Sequence, residues 1–366
     1  MKPMRVAFRT DASVDIGTGH VMRCLTLADE LRRRGSECVF ICRPHPGHLM
    51  PQIRERGHGV LPLPERADTG VAASPPTAHA RWLGVPWELD AQDTQTVLGD
   101  TGFDWLVTDH YALDCHWEQA MRHRCTHLMV IDDLADRQHD CDLLLDQNLG
   151  RSAADYAHLI PSGAHLAIGP QHALLRPEFA ELRPTSLTQR AEATLRHLLI
   201  TLGGVDKDNV TERVLDALDA EPLPADLRVT VVLGPKAPWL AQVRARALRM
   251  RMQVDVLAGV SDMATLMAAC DFAIGAAGGT AWERCCLGLP SAVFVLAPNQ
   301  APGAAALQSV GAARLVQDAV AARDQVCHLM STNGRSELHE MGRAASRLTD
   351  GLGAARVVDQ MESLHG

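Results

Sequence analysis

The sequence predicts an α/β protein of two doubly wound domains of similar size, with a cleft between them. Three observations carry that reading. Short apolar runs alternate with helical periodicity along most of the chain, as repeated β-α units do. At 366 residues the chain is longer than one ordinary core serves. The alternation also falls into two series, parted by a stretch that holds Arg183-Pro184-Thr185-Ser186. Residues 1–180 are therefore expected to form the first domain, 181–196 a linker and 197–366 the second domain. The last helix of the second domain is placed to pack back on the first.

In chain order, strands are expected at 6–9, 38–42, 60–63, 105–108, 128–131 and 143–146 in the first series. The second series places them at 197–202, 229–233, 254–257, 272–274, 292–295 and 313–316. Residues 64–87, rich in Pro, Ala, Gly and Thr, read as a long irregular loop. Residues from about 336 to 364 are helical by periodicity. In doubly wound sheets, ligands sit outside the carboxyl ends of the strands, so the loops after the strands are where chemistry is sought.

The first such loop is Gly17-Thr18-Gly19-His20, between the 6–9 strand and an amphipathic helix of about 21–34. It brings an imidazole to the first turn of a helix. The positive end of the helix dipole disfavours imidazolium, which biases His20 toward the neutral form that can accept a proton. The alternative is a histidine that merely packs or caps the turn. Further on, Val107-Thr108-Asp109-His110-Tyr111 ends a strand with a polar cluster, in which Asp109 could orient a neighbour and Tyr111 could donate to a sugar oxygen. Asp132 and Asp133 follow the next strand. Adjacent residues on an extended chain face opposite ways, so no dyad is expected of them. Arg176, in Leu174-Leu175-Arg176-Pro177-Glu178-Phe179, reads either as a phosphate clamp or as a surface salt bridge.

In the second half, Leu202-Gly203-Gly204 turns out of a strand, and its glycines allow backbone N–H groups to approach an anion. Ile274-Gly275-Ala276-Ala277-Gly278-Gly279-Thr280-Ala281-Trp282-Glu283 runs from a buried strand into a helix start. Diphosphate oxygens would meet the N–H groups of Gly279 and Thr280, and Glu283 could accept both hydroxyls of a ribose. Equally, Thr280-x-x-Glu283 fits a capping box that only starts the helix. Asn299 and Gln300 place two neutral amides after a further strand, for a sugar or phosphate or for capping. No Gly-Lys-Ser/Thr follows either glycine turn and neither carries a Gly-x-Gly-x-x-Gly, which counts against ATPase and dehydrogenase readings.

Composition bounds the function classes. The chain is 46% hydrophobic and 22% charged, as globular proteins are, and no apolar run approaches the roughly 18 residues of a membrane span. A net charge of −9 and only 4% aromatic residues argue against a nucleic-acid surface or a base-stacking platform. The N-terminus leads into a strand without the apolar stretch of a signal peptide, so a cytoplasmic protein is expected. The ten cysteines include no Cys-x-x-Cys pair and read as reduced thiols. His45 and His48 form a loose pair, and no metal site is expected.

The residues that carry a family resemblance are Phe8-Arg9-Thr10-Asp11-Ala12-Ser13 and Ile16-Gly17-Thr18-Gly19-His20-Val21-Met22-Arg23-Cys24-Leu25. With Asp109-His110-Tyr111, Ile131 through Arg137, 143–148, 173–179, Gly203-Gly204 and Asn299-Gln300, they resemble the nucleotide-sugar hydrolases of the pseudaminic-acid pathway. The likeness runs in order through nearly the whole chain. That family is similar in fold to two-domain glycosyltransferases of the GT-B type, including the MurG-like enzymes. The resemblance implies two Rossmann-like domains facing across a cleft. It also implies release of UDP and 2,4-diacetamido-2,4,6-trideoxy-L-altrose from the corresponding UDP-sugar, with end use in flagellar or surface glycan. His20 falls on the family's catalytic histidine. Asp11, Gly19, Tyr111, Arg176, Asn299 and Gln300 are implied as substrate contacts. Gly203, Gly204, Gly278, Gly279, Thr280 and Glu283 are implied as UDP contacts. A monomer needing no metal or cofactor, with a small UDP-sugar as its partner and neither nucleic acid nor membrane, completes the expectation. The turn Ala277-Gly278-Gly279-Thr280 is nearer the glycosyltransferase form than the serine-bearing form of some of the hydrolases.

Overall fold

Every strand pairing in the two sheets is parallel, which requires helices on both faces of each. The structure is a computed structural model that describes residues 3–66, 79–192, 194–224 and 226–366. The first sheet is made of β1 (Arg5–Thr10), β2 (Glu37–Cys42), β3 (Gly59–Pro62), β4 (Phe103–Asp109), β5 (Cys125–Ile131), β6 (Leu143–Asp146) and β7 (His165–Ile168). Its order is β3-β2-β1-β4-β5-β6-β7. The helices of this part are α1 (Gly19–Arg33), α2 (Met50–Glu55), α3 (Trp87–Leu98) and α4 (Cys115–Met121). Side chains along β1 alternate between two cores, with Val6 and Phe8 in one and Ala7 in the other.

The second sheet joins β8 (His197–Thr201), β9 (Arg228–Leu233), β10 (Gln253–Ala258), β11 (Phe272–Ala276), β12 (Ser291–Phe294) and β13 (Ala313–Leu315). Its order is β10-β9-β8-β11-β12-β13. Around it come α5 (Pro177–Arg190), α6 (Val210–Asp219), α7 (Leu240–Ala247), α8 (Met263–Ala268), α9 (Thr280–Cys286), α10 (Ala301–Ser309), α11 (Ala319–Met330) and α12 (Gly334–Ser346). A last helix, α13 (Gly353–His365), ends the described chain. In each sheet the order reverses once, between β1 and β4 and between β8 and β11. The registers there pair Thr10 with Asp109 and Thr201 with Gly275. Loops leaving these strand ends diverge, and the gap between them is where doubly wound sheets receive ligands.

Several expectations are corrected. Strand β7 was not anticipated: its four residues, His-Leu-Ala-Ile, are too short for alternation to register, and it adds at the sheet edge. Of the expected loop at 64–87, residues 67–78 lie outside the described residues. Residues Ala80–Leu83 form a 3-10 turn, and α3 begins at Trp87. The stretch expected as a linker is largely α5, with Pro184 inside the helix. Proline was the signal for a break, but tertiary bonds hold the segment: Arg183 donates to Ser346 O at 2.6 Å, and Arg190 to Met267 O at 2.7 Å and to Leu287 O at 3.0 Å. The helix expected at 336–364 is two helices, parted by Gly351 at φ 87°, where a Cβ would lie 2.8 Å from Cys286 Sγ.

The chain divides into two compact units, Met1–Leu174 with Gly353–Gly366, and Leu175–Leu352. The division thus falls at 174/175, and α13 belongs to the first unit. Val357, Val358 and Met361 of α13 are buried in one core with Phe8 and Leu25. Each such side chain contributes roughly 1.5–3 kcal/mol. Arg34 adds ion pairs to Asp359 at 2.6 Å and Glu362 at 2.9 Å. All ten cysteines are free. Among the described residues no helix is long and apolar enough to cross a membrane.

A Cβ at Gly353 would collide with backbone atoms of His172 and Ala173, 2.5 and 2.6 Å away. Gly353→Ala is therefore expected to lower the unfolding free energy by roughly 1–3 kcal/mol, the cost of overpacking a rigid contact, measured by urea denaturation.

Candidate functional site

Two groups of side chains form at the two switch points, one in each unit. In the first unit, α1 starts at Gly19 and sets His20 in its first turn, 8% exposed. Strand β4 ends on Asp109, fully buried, whose Oδ1 lies 2.6 Å from His20 Nδ1. Arg23, one turn along α1, binds the same carboxylate with two nitrogens, at 2.6 and 2.7 Å. Burial pushes the Asp109 carboxyl up, but Arg23, and then His20, reverse this and hold it well below the usual carboxylate range. An ionised carboxylate only accepts, so the geometry assigns the imidazole proton to Nδ1 and leaves Nε2 as the nitrogen for chemistry. Asp109, expected as a group that could orient a neighbour, here orients His20.

The network extends further. Arg23 also binds Asp133 Oδ2 at 2.7 Å, and the Tyr111 hydroxyl donates to that same oxygen at 2.7 Å. The Tyr111 hydroxyl, expected to donate to a sugar oxygen, here donates to Asp133, and the residue is 5% exposed. Its ring instead meets His20 edge-on, with centroids 4.6 Å apart. Asp132 and Asp133 do face opposite ways, Asp132 toward Arg137 and Tyr156 and Asp133 toward Arg23 and Asn148. Asp146, which accepts from Tyr156 and Asn148, is pushed up to about 6 by burial and by Asp133.

Sequence reasoning missed Arg23, Asn148, His79 and Trp82. His79 precedes the 3-10 turn Ala80–Leu83 and Trp82 lies within it, and both rings stand against Tyr111, at 5.3 and 5.7 Å. An i, i+3 spacing from His20 to Arg23 on one helix face was the legible signal for the arginine. The aromatic pair lay in a stretch with no periodicity to place it.

Asp11, expected as a substrate contact, lies in the interior. It is wholly buried, pairs with Arg9 at 2.8 Å and accepts from the Arg43 backbone N–H at 2.7 Å. Its carboxylate belongs to an internal ion-pair network with Arg9, Arg43 and Asp90. Gly19 is exposed, and a Cβ there would meet nothing within 4 Å.

In the second unit, Gly203 turns the chain after β8 at φ 93°, a conformation that favours glycine. Gly204 O accepts from Gly234 N at 2.9 Å, tying this turn to the one after β9. Helix α9 begins after Gly279, and no side chain caps it, so Thr280 and Glu283 do not form a capping box. Gly279 and Thr280 are exposed. Thr280 Oγ1 lies 3.3 Å from an N–H of Arg284. Burial pushes the Glu283 carboxyl up to about 7, opposed by Arg176 and Arg284. Arg176, at the start of α5, lies 3.9 Å from Glu283, pairs with Glu178 at 3.2 Å and donates to Ser261 O at 3.0 Å. Gln300 Oε1 accepts from Leu296 N at 2.9 Å, which turns its Nε2 toward Gly278. Asn299 is exposed in the 3-10 turn Pro298–Gln300 and caps nothing.

The fold is the GT-B type. The chain superposes on MurG of Acinetobacter baumannii with a TM-score of 0.68 over 99% of this chain and 100% of that one, at 17% identity. It superposes on the calicheamicin glycosyltransferase CalG4 with a TM-score of 0.61 over 99% and 98%, at 15% identity. In sequence it is 24% identical to an uncharacterised protein of Methanocaldococcus jannaschii, over 81% of this chain and 56% of that protein. It is 32% identical to the spore coat polysaccharide biosynthesis protein SpsG of Bacillus subtilis, over 46% and 51%. It is 27% identical to the UDP-2,4-diacetamido-2,4,6-trideoxy-beta-L-altropyranose hydrolase of Campylobacter jejuni, over 43% and 47%. The chain thus spans about half the length of the curated relatives it matches. No protein-family model matches it.

Replacing Asp109 by Asn breaks a buried ion pair and is expected to cost roughly 3–5 kcal/mol of stability at neutral pH. The folded Asp109 pKa is depressed, so the wild-type advantage is full above the unfolded value of about 3.9 and shrinks as pH falls below it. Urea unfolding of both proteins at pH 7 and near pH 3.5 checks this.

Proposed function

We propose that this chain processes UDP-sugars. In the specific reading it hydrolyses UDP-2,4-diacetamido-2,4,6-trideoxy-β-L-altropyranose to UDP and the free sugar, a step of pseudaminic acid biosynthesis in the cytoplasm. The observation that carries the reading is His20, held through Nδ1 by buried Asp109 at the switch point of the first sheet. The named hydrolase among its relatives and the GT-B fold support it.

In this reading the first unit takes the sugar and the second takes UDP. Water attacks the anomeric carbon, its proton passes to His20 Nε2, and the bond from that carbon to the diphosphate oxygen breaks, with inversion. Gly279, Thr280, Gln300 and Arg176 would stabilise the departing diphosphate, and Gly203, Gly204 and Gly278 would let it approach the backbone. Glu283 would accept the ribose hydroxyls, while Gly19 and Asn299 stay as sugar contacts. Tyr111 is reassigned to positioning, since its ring abuts His20. A diphosphate is a good leaving group, so no general acid is invoked.

General base assistance is worth about 10²–10⁴-fold. His20→Asn is expected to lose that much turnover while binding UDP as the wild type does; turnover at the wild-type rate would remove His20 from the mechanism. Incubation with the UDP-sugar alone, followed by NMR, should show UDP and an inverted free sugar. A glycosyltransferase is the second reading, favoured by the glycine-rich turn at 277–280, and it would leave the UDP-sugar intact until an acceptor is added.

Glu283 accepts from both ribose hydroxyls at once best as the carboxylate, and its raised pKa of about 7 sets the sign of a pH effect. Uridine, which carries no phosphate to titrate, is expected to bind more weakly as pH falls from about 8 to about 6. Calorimetry on Glu283→Gln should show weak binding without that dependence.

A further inference from the structure

Arg284 is 1% exposed, and among the described residues no carboxylate lies within ion-pair distance of it. An arginine so buried usually meets an acid, as a lone charge is costly away from water. Here one guanidinium nitrogen donates to Ala276 O at 2.8 Å, a second donates to Thr280 Oγ1 at 3.3 Å, and Nε has no partner. The guanidinium fills the space that a side chain on Gly275 would take: a Cβ there would lie 2.5 Å from one nitrogen and 3.2 Å from Thr201 O. Gly275 and Thr201 are the register pair at the switch point of the second sheet. The charge therefore sits directly beneath the edge from which both glycine turns leave.

Arg284 cannot accept a hydrogen bond, so the Thr280 oxygen must be the acceptor between them. The Thr280 proton is then free to point away from Arg284, toward the exposed side. We infer that Arg284 is a positioning residue for an anionic ligand, supplying a fixed positive charge under the 276–280 turn and setting the Thr280 hydroxyl as a donor to a phosphate oxygen. The inference rests on the UDP reading of this unit for the identity of the anion, a nucleoside diphosphate.

The test is calorimetric titration of the full chain with UDP, inorganic pyrophosphate and uridine. Arg284→Met and Thr280→Val should each weaken UDP and pyrophosphate by roughly ten- to hundred-fold, as expected for hydrogen bonds to a charged group, and leave uridine unchanged. Their double variant should be no worse than the weaker single one, because the arginine acts through the threonine. Thr280→Ser should restore binding, and since Thr280 is exposed this pair serves even where Arg284→Met does not fold. UDP and pyrophosphate bound as by wild type in folded Arg284→Met or in Thr280→Val would overturn the inference and leave the proposed function standing. Equal weakening of uridine would reduce Arg284 to a structural role. Wild-type protein that binds none of the three would overturn both.

Discussion

Asp109 gathers the first switch point around one buried charge. A carboxylate with no access to water needs its lone pairs filled, and Arg23 and His20 from a single turn of α1 fill them. That demand fixes how α1 docks on the end of β4, which nitrogen of His20 carries the proton and where Arg23 places its remaining donor. Through Arg23 it reaches Asp133, and from there Tyr111 and Asn148. The constraint is mutual, because Arg23 is itself 11% exposed on its side chain and depends on both carboxylates.

The second switch point is organised the opposite way. There the buried charge, Arg284, meets backbone carbonyl and hydroxyl oxygen rather than acid, and Glu283 is held by burial near neutrality. One unit thus keeps its charges internally compensated and presents an imidazole. The other keeps a cation uncompensated and presents donors.

Much of this was legible in the chain. The parallel strands announced themselves as short apolar runs, and the polar residues just past their ends marked both switch points, because a β-strand's end is where side chains must leave the core. His20, Asp109 and the 278–280 turn were found this way. What was hidden depended on contacts distant in sequence. Asp11 follows β1 directly, like any site residue, yet the backbone N–H it accepts from is that of Arg43, 32 positions on. Tyr111 looked free because the carboxylate that accepts from its hydroxyl is 22 residues on. Pro184 looked like a break because the carbonyls that steady α5 lie some eighty to a hundred and sixty positions further along.

Helix α13 changes the order in which the protein can be completed. Residues 175–352 are continuous and carry their own sheet and core, so this unit has all its parts as soon as it is synthesised. The first unit, though begun earlier, has an open face on α1 until Val357, Val358 and Met361 arrive. The half that holds His20 is therefore the last to close, and during synthesis its apolar groove must stay exposed while the entire second unit is made. Any chain cut short before α13 would keep the second unit whole and leave the imidazole on an unfinished scaffold.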